Sequence, residues 1–460
     1  MKKQTSSIPS LSEFQPVIPY QRQTINNVRR GFDYSLGAHE VLLSGSVGSA
    51  KSLLMAHLAV THCLFNEKSR VCLGRKSMPD LKDTILSTIL EHMEGSLVES
   101  VHYEHNETKG KVKFSNGSEI ISRSWSDKKY KRFRSLQLSA ALIEELTENN
   151  DEDKQAYDEL KMRVGRLPHI KENFIIAATN PDSPAHWAHK YFIESDSPTR
   201  HVYYSVTTEN PFLPKWYVEQ LLRDLDPKMA QRMIYGKWIE IAGDFIYHAY
   251  DRLVNFKKEK YQVNPAYPIR IQFDFNIGEG KPMSACLSQY LKDKDEFHFF
   301  NESVVHGART EDIMEEMAGR GLLDYHTKYI IHGDASGKHK DTRSKRSDYD
   351  IIEKFLANYK RFDGSSIQFE MQVPLSNPPV RTRHNKVNGY MRNALGKNRL
   401  YVYEQAKTLD EGFRLTKLKP GGQYIEDDSK PYQHVTTAAG YGILSTLQNV
   451  NRTQQGSTDL

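Results

Sequence analysis

The stretch "EVLLSGSVGSAKSLLMAHLAV", residues 40–60, constrains the fold more than any other part of the sequence. It places an apolar run, a Gly/Ser-rich loop and a helical pattern in immediate succession. In this order, backbone amides of the loop and the N-terminus of the helix point at one anion. The stretch therefore predicts a phosphate-binding loop at the carboxyl end of a buried strand.

Each residue type in this loop suits phosphate chemistry. Gly45 and Gly48 permit tight backbone turns, Lys51 can reach the outer phosphates, and the Ser52 hydroxyl can bind Mg²⁺. Ala50 stands where G-x-x-x-x-G-K-[ST] has its second glycine, and we expect it to be tolerated because a residue entering a helix needs no positive φ. The predicted ATP-binding residues of the loop are Gly45, Ser46, Gly48, Ser49, Lys51 and Ser52.

Length and composition favour two folded domains. The chain has 460 residues, 38% of them hydrophobic, and a formal net charge of +5, which is compatible with a nucleic-acid partner. Its cysteines, Cys63, Cys72 and Cys286, form neither a metal-ligand pair nor a disulfide framework, which favours a reducing compartment. Because no apolar run is long enough to cross a bilayer, we expect a soluble, unsecreted protein without a membrane partner.

Short apolar runs alternate with helical patterns through the first half of the chain, which predicts a mainly parallel α/β sheet covered by helices. One such run, "SAALIEELTE", ends in Glu144 and Glu145. Ligands bind at the carboxyl edge of such sheets, so Glu144 is expected to hold Mg²⁺ with Ser52, and Glu145 to orient or deprotonate the attacking water. Another strand pattern ends in Thr179 and Asn180, which suit sensing of the terminal phosphate.

A basic segment, "SDKKYKRFRSLQ", precedes the two glutamates. Its charge pattern is compatible with a solvated face, with a surface that binds a phosphate backbone, or with an arginine offered to a neighbouring subunit's ATP. Arg134 lies eleven residues before Glu145 and is the candidate for that third role.

Seven segments in this order resemble the large subunits of tailed-phage terminases. They are "PYQRQ", "SGSVGSAKS", "GRKSMPDLKDT", "RFRSLQLSAALIEELTE", "TNPDSPAHWAHKYF", "ENPFLPKWYVEQL" and "YGKWIEIAGDFIY". The resemblance implies that Gln21 contacts adenine, that Glu145 is catalytic, and that Thr179 and Asn180 couple hydrolysis to movement. It makes Arg134 the first candidate for the arginine finger and Arg75 the second.

The second half of the chain predicts another α/β domain. Asp274 lies in the strand pattern "IRIQFDFNIG", and Asp334 follows the strand pattern "KYIIHG". Acids so placed suit a ribonuclease H-like site whose carboxylates hold two divalent ions, Mg²⁺ or Mn²⁺, across a scissile phosphate. The predicted organisation is an ATPase domain at 1–245 with a P-loop, RecA-like fold, a linker at 246–262, a nuclease domain at 263–448 and a flexible polar tail at 449–460.

The third nuclease ligand is expected from "YIEDDSKPYQHVTTAAGYGIL". Related terminases carry H-x-x-D-A-x-x-Y there, and His434 and Tyr441 match while Thr437 replaces the aspartate. Either Asp428 or Asp427 supplies the missing carboxylate with His434 as a further ligand, or the metal site is weaker than in the family.

A basic run follows Asp334. It suits either a solvated loop or a surface that neutralises DNA phosphates without sequence preference, and its position beside a metal ligand favours the second. The predicted DNA-binding residues are Lys338, Lys340, Arg343, Lys345 and Arg346.

The resemblance implies a motor subunit that hydrolyses ATP to move double-stranded DNA into a procapsid and cuts concatemeric DNA. It further implies a portal protein and a small terminase subunit as partners, a homo-pentamer on the portal that can be monomeric in solution, and action in the host bacterial cytoplasm with transient attachment to the procapsid and absence from the mature virion. The alternatives are a helicase-like DNA translocase, or a DNA-binding assembly factor with an inactive or weak nuclease domain.

Overall fold

A computed structural model of the chain describes residues 14–148, 150–240, 245–276, 281–340, 346–419 and 424–455. Two compact units are present. The first contains residues 1–219 and 230–240, and the second contains residues 220–229 and 241–460.

The first unit is built on an eight-stranded sheet of order β3-β4-β5-β2-β6-β7-β1-β8. The strands are β1 (His39–Gly45), β2 (Arg70–Arg75), β3 (Tyr103–Asn106), β4 (Lys111–Phe114), β5 (Glu119–Ser124), β6 (Ala140–Ile143), β7 (Phe174–Thr179) and β8 (Arg200–Ser205). The six neighbouring strands β5, β2, β6, β7, β1 and β8 are all parallel. Strands β4 and β3 continue the sheet beyond β5 with antiparallel pairing. The central strands β1, β6 and β7 are buried throughout, as expected for parallel strands covered on both faces.

Helices cover both faces of this sheet, and each face has its own apolar core. The helices of the first unit are α1 (Pro19–Asn26), α2 (Lys51–Phe65), α3 (Met78–Leu81), α4 (Ser87–Met93), α5 (Asn150–Lys161) and α6 (Trp187–Phe192). Helices α7 (Lys215–Asp224) and α8 (Pro227–Met233) contain residues of both units. Wider π-helical turns occupy Asn27–Gly31 and Lys82–Leu86, and a 3₁₀ segment occupies Ser126–Ser135.

The second unit has a seven-stranded sheet of order β14-β13-β10-β11-β12-β15-β9. Its strands are β9 (Phe256–Lys257), β10 (Ile269–Asp274), β11 (Met283–Leu291), β12 (Glu296–Val305), β13 (Tyr329–Gly333), β14 (Phe369–Met371) and β15 (Leu400–Tyr403). An antiparallel meander, β10 to β12, continues on the other side of β10 into the parallel strands β13 and β14. This is the mixed sheet expected of a ribonuclease H-like unit.

In the described ranges, the α-helices that lie wholly in the second unit are α9 (Arg252–Asn255), α10 (Thr310–Gly319), α11 (Asp348–Asn358), α12 (Val380–Met391), α13 (Lys407–Leu415) and α14 (Pro431–Gln455). Helix α14 packs across β10, β11 and β13. It also extends to residue 455, so the described part of the predicted flexible tail at 449–460 is helical.

The predicted linker at 246–262 differs from what the structure shows. Ile246 and Tyr247 are buried in the core of the second unit, and β9 pairs with β15. Residues 220–229, expected in the ATPase domain, also belong to the second unit, where Asn393 and Arg399 both donate hydrogen bonds to the Arg223 carbonyl. The boundary between the units differs from the predicted one because the side chains and backbone groups of these segments contact the second unit instead of remaining in solvent.

Candidate active sites

The loop between β1 and α2 has the close backbone contacts of an anion-binding turn. Gly48 has φ +70°, and a Cβ on Gly45 would collide with Ser205 Oγ. A larger residue at either position would therefore strain the backbone or displace a neighbouring side chain. The Ser49 hydroxyl donates to the Ser46 carbonyl at 2.7 Å, which closes the turn.

Ala50 corrects one expectation from the sequence. It has φ 61° and ψ 35°, the left-handed conformation, immediately before α2 begins at Lys51. The loop thus imposes at this position the conformation that glycine adopts most easily, and it holds Ala50 there at a cost of about 1–2 kcal/mol.

Lys51 is folded onto the loop. Its ammonium donates to the Gly45 and Ser46 carbonyls at 2.7 and 2.8 Å, and to Asn180 Oδ1 at 3.0 Å. Burial lowers the pKa of Lys51 to about 8, against the opposing charges of Glu145 and Glu144. The predicted phosphate-binding lysine and the predicted coupling asparagine are therefore in direct contact.

The two acids lie at the carboxyl end of β6, as predicted. The Ser52 hydroxyl lies 2.5 Å from Glu144 Oε1, so a hydroxyl and a carboxylate oxygen meet at the loop. Hard oxygen donors of this kind fit Mg²⁺, so the pair predicted to hold that ion is assembled. Glu145 has φ 50°, and burial raises the pKa of its carboxyl despite the nearby charges of Lys51 and Arg75.

Strand β7 lies between β1 and β6 and ends in Thr179. The Thr179 and Thr147 hydroxyls are 2.6 Å apart, and Thr147 Oγ1 also lies 3.3 Å from the Asn180 carbonyl oxygen. Thr147 follows the two glutamates in the chain, so the predicted coupling residues contact both the lysine side and the acid side of the site.

Gln21 also reaches the loop. Its side chain is buried and donates to the Ala50 carbonyl at 3.2 Å, while the neighbouring Tyr20 hydroxyl donates to the Ser49 carbonyl at 2.7 Å. The upstream glutamine predicted to contact adenine is thus beside the phosphate loop.

The two candidate arginine fingers have different surroundings. Arg134 has a side chain 59% exposed and pairs with Glu159 at 3.1 Å. Arg75, at the end of β2, instead lies among the acids: its guanidinium is 3.4 Å from Glu144 and 2.9 Å from Glu148. Of the two, Arg75 is the arginine that touches the candidate site within the same chain.

Several residues that the sequence motifs did not single out contact this site. Thr207 donates to the Val47 carbonyl at 2.7 Å, and Asn210 donates to the Gly48 carbonyl at 2.7 Å. Thr84 lies 2.6 Å from Glu144 Oε2. The segments "ENPFLPKW" and "GRKSMPDLKDT" contributed to the resemblance only through their order along the chain. No single threonine or asparagine in them indicated a site residue, because these residue types are common in turns.

In the second unit, Asp274 and Asp334 end neighbouring strands. Phe273 pairs with Gly333 in the parallel register of β10 and β13, so the two aspartates occupy equivalent positions one residue further on. Burial raises the pKa of Asp334, and the charge of Asp274 raises it further. Two carboxylates in this arrangement fit a divalent cation.

His434 lies at the start of α14, and its Nδ1 is 2.9 Å from Asp274 Oδ2. Asn276 donates to the same carboxylate oxygen at 2.7 Å. Three of the predicted nuclease residues, Asp274, Asp334 and His434, therefore lie at one end of the sheet.

Asp428 has other partners. It pairs with Lys281 and, at 2.6 Å, with Lys419, and these two lysines hold the pKa of its carboxyl well below its usual range. Asp427 is half-buried and accepts a hydrogen bond from the Ser429 backbone amide at 3.1 Å. Across the described ranges, no group of three or more His, Cys, Asp or Glu side chains is placed to hold a metal ion. Asp274 and Asp334 are thus the two carboxylates that neighbouring strands bring to one edge, and among the described residues neither Asp427 nor Asp428 joins them in such a group.

Thr437 faces a buried ion cluster. The Gln433 amide donates to its hydroxyl at 2.9 Å, and the Arg383 guanidinium lies 3.4 Å away. Arg383 pairs with Glu426, to which the His384 ring also lies close, at 2.8 Å. Burial opposes ionisation of Glu426, but His384 and Arg383 together lower its pKa to about 2.

Three of the predicted DNA-binding residues are described: Lys340 and Arg346 are exposed, and Lys338 is half-buried. Arg343 and Lys345 lie outside the described residues. Among the helices that the structure describes, none has the length and apolar character that a membrane span requires.

The first unit is an α/β fold with a mainly parallel sheet, in which β7 lies between the strand that leads into the loop and the strand that leads into the two glutamates. Residues 38–237 match the sequence model of the phage terminase large subunit. The resemblance to terminase large subunits that the motifs indicated is therefore confirmed over this part of the chain.

Solved structures extend the likeness beyond the family match. The large terminase of a thermophilic bacteriophage is 14% identical, covers 93% of this chain and 98% of its own, and has a TM-score of 0.63. The same phage protein in complex with ATP-γ-S, also 14% identical, covers 93% of this chain and 98% of its own, with a TM-score of 0.61. At this identity the likeness shows the fold, and it confirms a mixed α/β architecture for the chain. Among curated proteins, no match to the sequence is found.

Proposed function

We propose that this chain is the motor subunit of a DNA-packaging machine, which hydrolyses ATP to move double-stranded DNA and cuts that DNA with a metal-dependent nuclease unit. The observation that carries the proposal is the 2.5 Å contact of Ser52 with Glu144, beside a loop lysine that also contacts Asn180. Support also comes from the large terminase of the thermophilic bacteriophage, which binds ADP and ATP-γ-S.

In this proposal Lys51 and the loop amides bind the phosphates of ATP, and Ser52 with Glu144 holds Mg²⁺. The bound ion supplies charge neutralisation of the phosphates. Glu145 accepts the proton of the attacking water, for which a buried carboxyl with a raised pKa is suited. When Lys51 moves to bind phosphate, its hydrogen bond to Asn180 changes, and the neighbouring Thr147 and Thr179 side chains respond. This response is the first step that couples hydrolysis to movement.

Two substitutions separate binding from hydrolysis. Glu145→Ala should reduce ATP turnover at least 100-fold while the affinity for fluorescent ADP stays within about threefold, because a general base acts after binding. Lys51→Ala should weaken ADP binding at least tenfold. Glu67→Ala, on the exposed turn after α2, is the matched control. Loss of ADP binding in Glu145→Ala as severe as in Lys51→Ala would show that the hydrolytic glutamate is misassigned.

For the second unit we propose that Asp274 and Asp334 hold a divalent ion, Mg²⁺ or Mn²⁺, with His434 beside Asp274. The second of the two expected ions remains a prediction, as does the role of Asp428. Lys338, Lys340 and Arg346 would neutralise the DNA backbone near this site. A portal protein, a small terminase subunit, a five-membered ring and action in the host cytoplasm belong to the same proposal.

A second candidate function is favoured by one observation. Asp428 is held by two lysines and Thr437 stands where the family has aspartate, so the carboxylate set is smaller than the family pattern. This supports a DNA-binding ATPase with a weak or inactive nuclease unit. Plasmid cleavage by the wild-type protein distinguishes the two candidates.

A further inference from the structure

Glu144 is held on both of its carboxylate oxygens. Oε1 lies 2.5 Å from the Ser52 hydroxyl, and Oε2 lies 2.6 Å from the Thr84 hydroxyl. The side chain is almost fully buried, so neither oxygen is free to rotate into water. One oxygen thus faces the phosphate loop, and the other faces the segment that follows β2.

Thr84 reaches this position because its turn is wider than an α-helical one. Residues Lys82–Leu86 form a π-helical turn between α3 and α4, and the neighbouring Leu81 and Ile85 are buried in the core. Such turns re-aim single side chains and often occur at functional sites. Here the apolar neighbours fix the turn while the Thr84 hydroxyl points at the carboxylate.

Arg75 completes the arrangement. Its Nη1 donates to Thr84 Oγ1 at 3.0 Å and lies 3.4 Å from Glu144 Oε2, while Nη2 donates to Glu148 at 2.9 Å. The Thr84 oxygen therefore accepts from a cation and has a single proton to give. Glu144 and the Asp80 carbonyl both lie 2.6 Å away, and the ionised carboxylate is the stronger acceptor.

We propose that Thr84 and Arg75 are positioning residues of the nucleotide site: they hold Oε2 of Glu144 so that Oε1 stays directed at Ser52 to receive Mg²⁺. This inference rests on the proposed ATPase function and adds to it residues to which the family motifs give no such role. It also places Arg75 in its own chain's site rather than at a neighbour's ATP. Carboxylate ligands supported in this way typically lose 10- to 100-fold in metal affinity when the support is removed.

Thr84→Val tests the inference because it removes the hydroxyl and keeps the shape. The affinity for fluorescent ADP is measured with and without Mg²⁺, together with Mn²⁺ binding followed by electron paramagnetic resonance in the presence of ADP. We expect the affinity without Mg²⁺ to stay within about twofold, and Mn²⁺ binding to weaken about tenfold or more. Thr84→Ser, which keeps the hydroxyl, should keep Mn²⁺ binding near the wild-type value. Ser87→Ala, which removes a hydroxyl bonded to Glu91, should change neither quantity.

The outcomes separate the inference from the function beneath it. Unchanged Mn²⁺ affinity in a folded Thr84→Val protein would overturn the positioning role while leaving ATP hydrolysis in place. Equal losses with and without Mg²⁺, not restored in Thr84→Ser, would assign Thr84 to the packing of the loop alone and overturn the inference as well. Failure of the wild-type protein to bind ADP at all would overturn the proposed ATPase function.

Discussion

The Lys51 ammonium and the Asn180 side-chain oxygen are joined by a 3.0 Å hydrogen bond, so the end of β7 is tied to the phosphate loop. A phosphate that draws Lys51 away from the loop carbonyls must also change this bond. If Lys51 binds phosphate as we propose, the end of β7 would therefore respond to the presence of the terminal phosphate.

Asn180→Ala should disconnect this link. Because Lys51 keeps its two carbonyl partners, the affinity for ADP should stay within about threefold. The ATP turnover stimulated by DNA should fall about tenfold or more, because a hydrogen bond to a charged group contributes about 1.5–3 kcal/mol. Asn173→Ala, at the other end of the same strand, is the control. DNA-stimulated turnover equal to wild type would remove Asn180 from the coupling path.

Ala50→Gly should stabilise the protein. The left-handed conformation costs an alanine about 1–2 kcal/mol, and the greater freedom of glycine in the unfolded chain offsets part of that gain. We expect the free energy of unfolding in urea to rise by about 0.5–1 kcal/mol. Ala56→Gly, inside α2, should lower it by about 1 kcal/mol or more. A destabilised Ala50→Gly protein would mean that the methyl group contributes packing that exceeds the strain.

His62 should make the first unit sensitive to mild acid. Its ring is buried, with a nitrogen 2.9 Å from Ser139 Oγ, and burial lowers its pKa from 6.5 to about 4. Between these two pKa values, His62 is protonated in the unfolded chain but neutral in the folded protein. The free energy of unfolding therefore has its full value above pH 6.5 and decreases by up to about 3 kcal/mol as the pH falls to 4. Urea unfolding at pH 7 and pH 5 should show a smaller difference for His62→Gln than for wild type; identical differences would contradict the assignment.

The basic residues after Asp334 should set the salt dependence of DNA binding. Each phosphate contact contributes about 0.9 to the slope of log affinity against log salt, so Lys340→Gln with Arg346→Gln should reduce the slope by about 2. The change should be the same for unrelated DNA sequences, because phosphate contacts carry no sequence information. Lys328→Gln, a lysine paired with Glu370, should leave the slope unchanged. A slope unaltered by the double substitution would identify the run as a solvated loop.

The sequence predicted the parts of the site that depend on local order. The loop from Gly45 to Ser52 follows from a strand, a turn and a helix in succession. Asp274 and Asp334 were expected at one site because a strand-central acid and a later strand-end acid suit a ribonuclease H-like unit, and the structure adds that their strands are parallel neighbours. The contact of Thr84 with Glu144 joins residues 60 positions apart through a π-helical turn, which no periodicity signals.

The conformation of Ala50 and the unit to which residues 220–229 belong also depend on contacts between distant parts of the chain, so the sequence did not predict them. The conformation of Ala50 is imposed by the loop as a whole, whereas its residue type favours a right-handed helix. Residues 220–229 continue a helical pattern, and only their partners Asn393 and Arg399 assign them to the second unit.

The central claim is that one chain carries two separable activities, and it is tested most directly by assaying three proteins for both. Wild type, Glu145→Gln and Asp274→Asn are each given ATP with Mg²⁺, and supercoiled plasmid with Mg²⁺ or Mn²⁺. We predict that the wild-type protein hydrolyses ATP and cuts the plasmid, that Glu145→Gln cuts the plasmid but does not hydrolyse ATP, and that Asp274→Asn hydrolyses ATP but does not cut the plasmid. Plasmid left intact by wild type and Asp274→Asn alike, with ATP hydrolysed by both, would contradict the claim and leave a DNA-binding ATPase without a working nuclease.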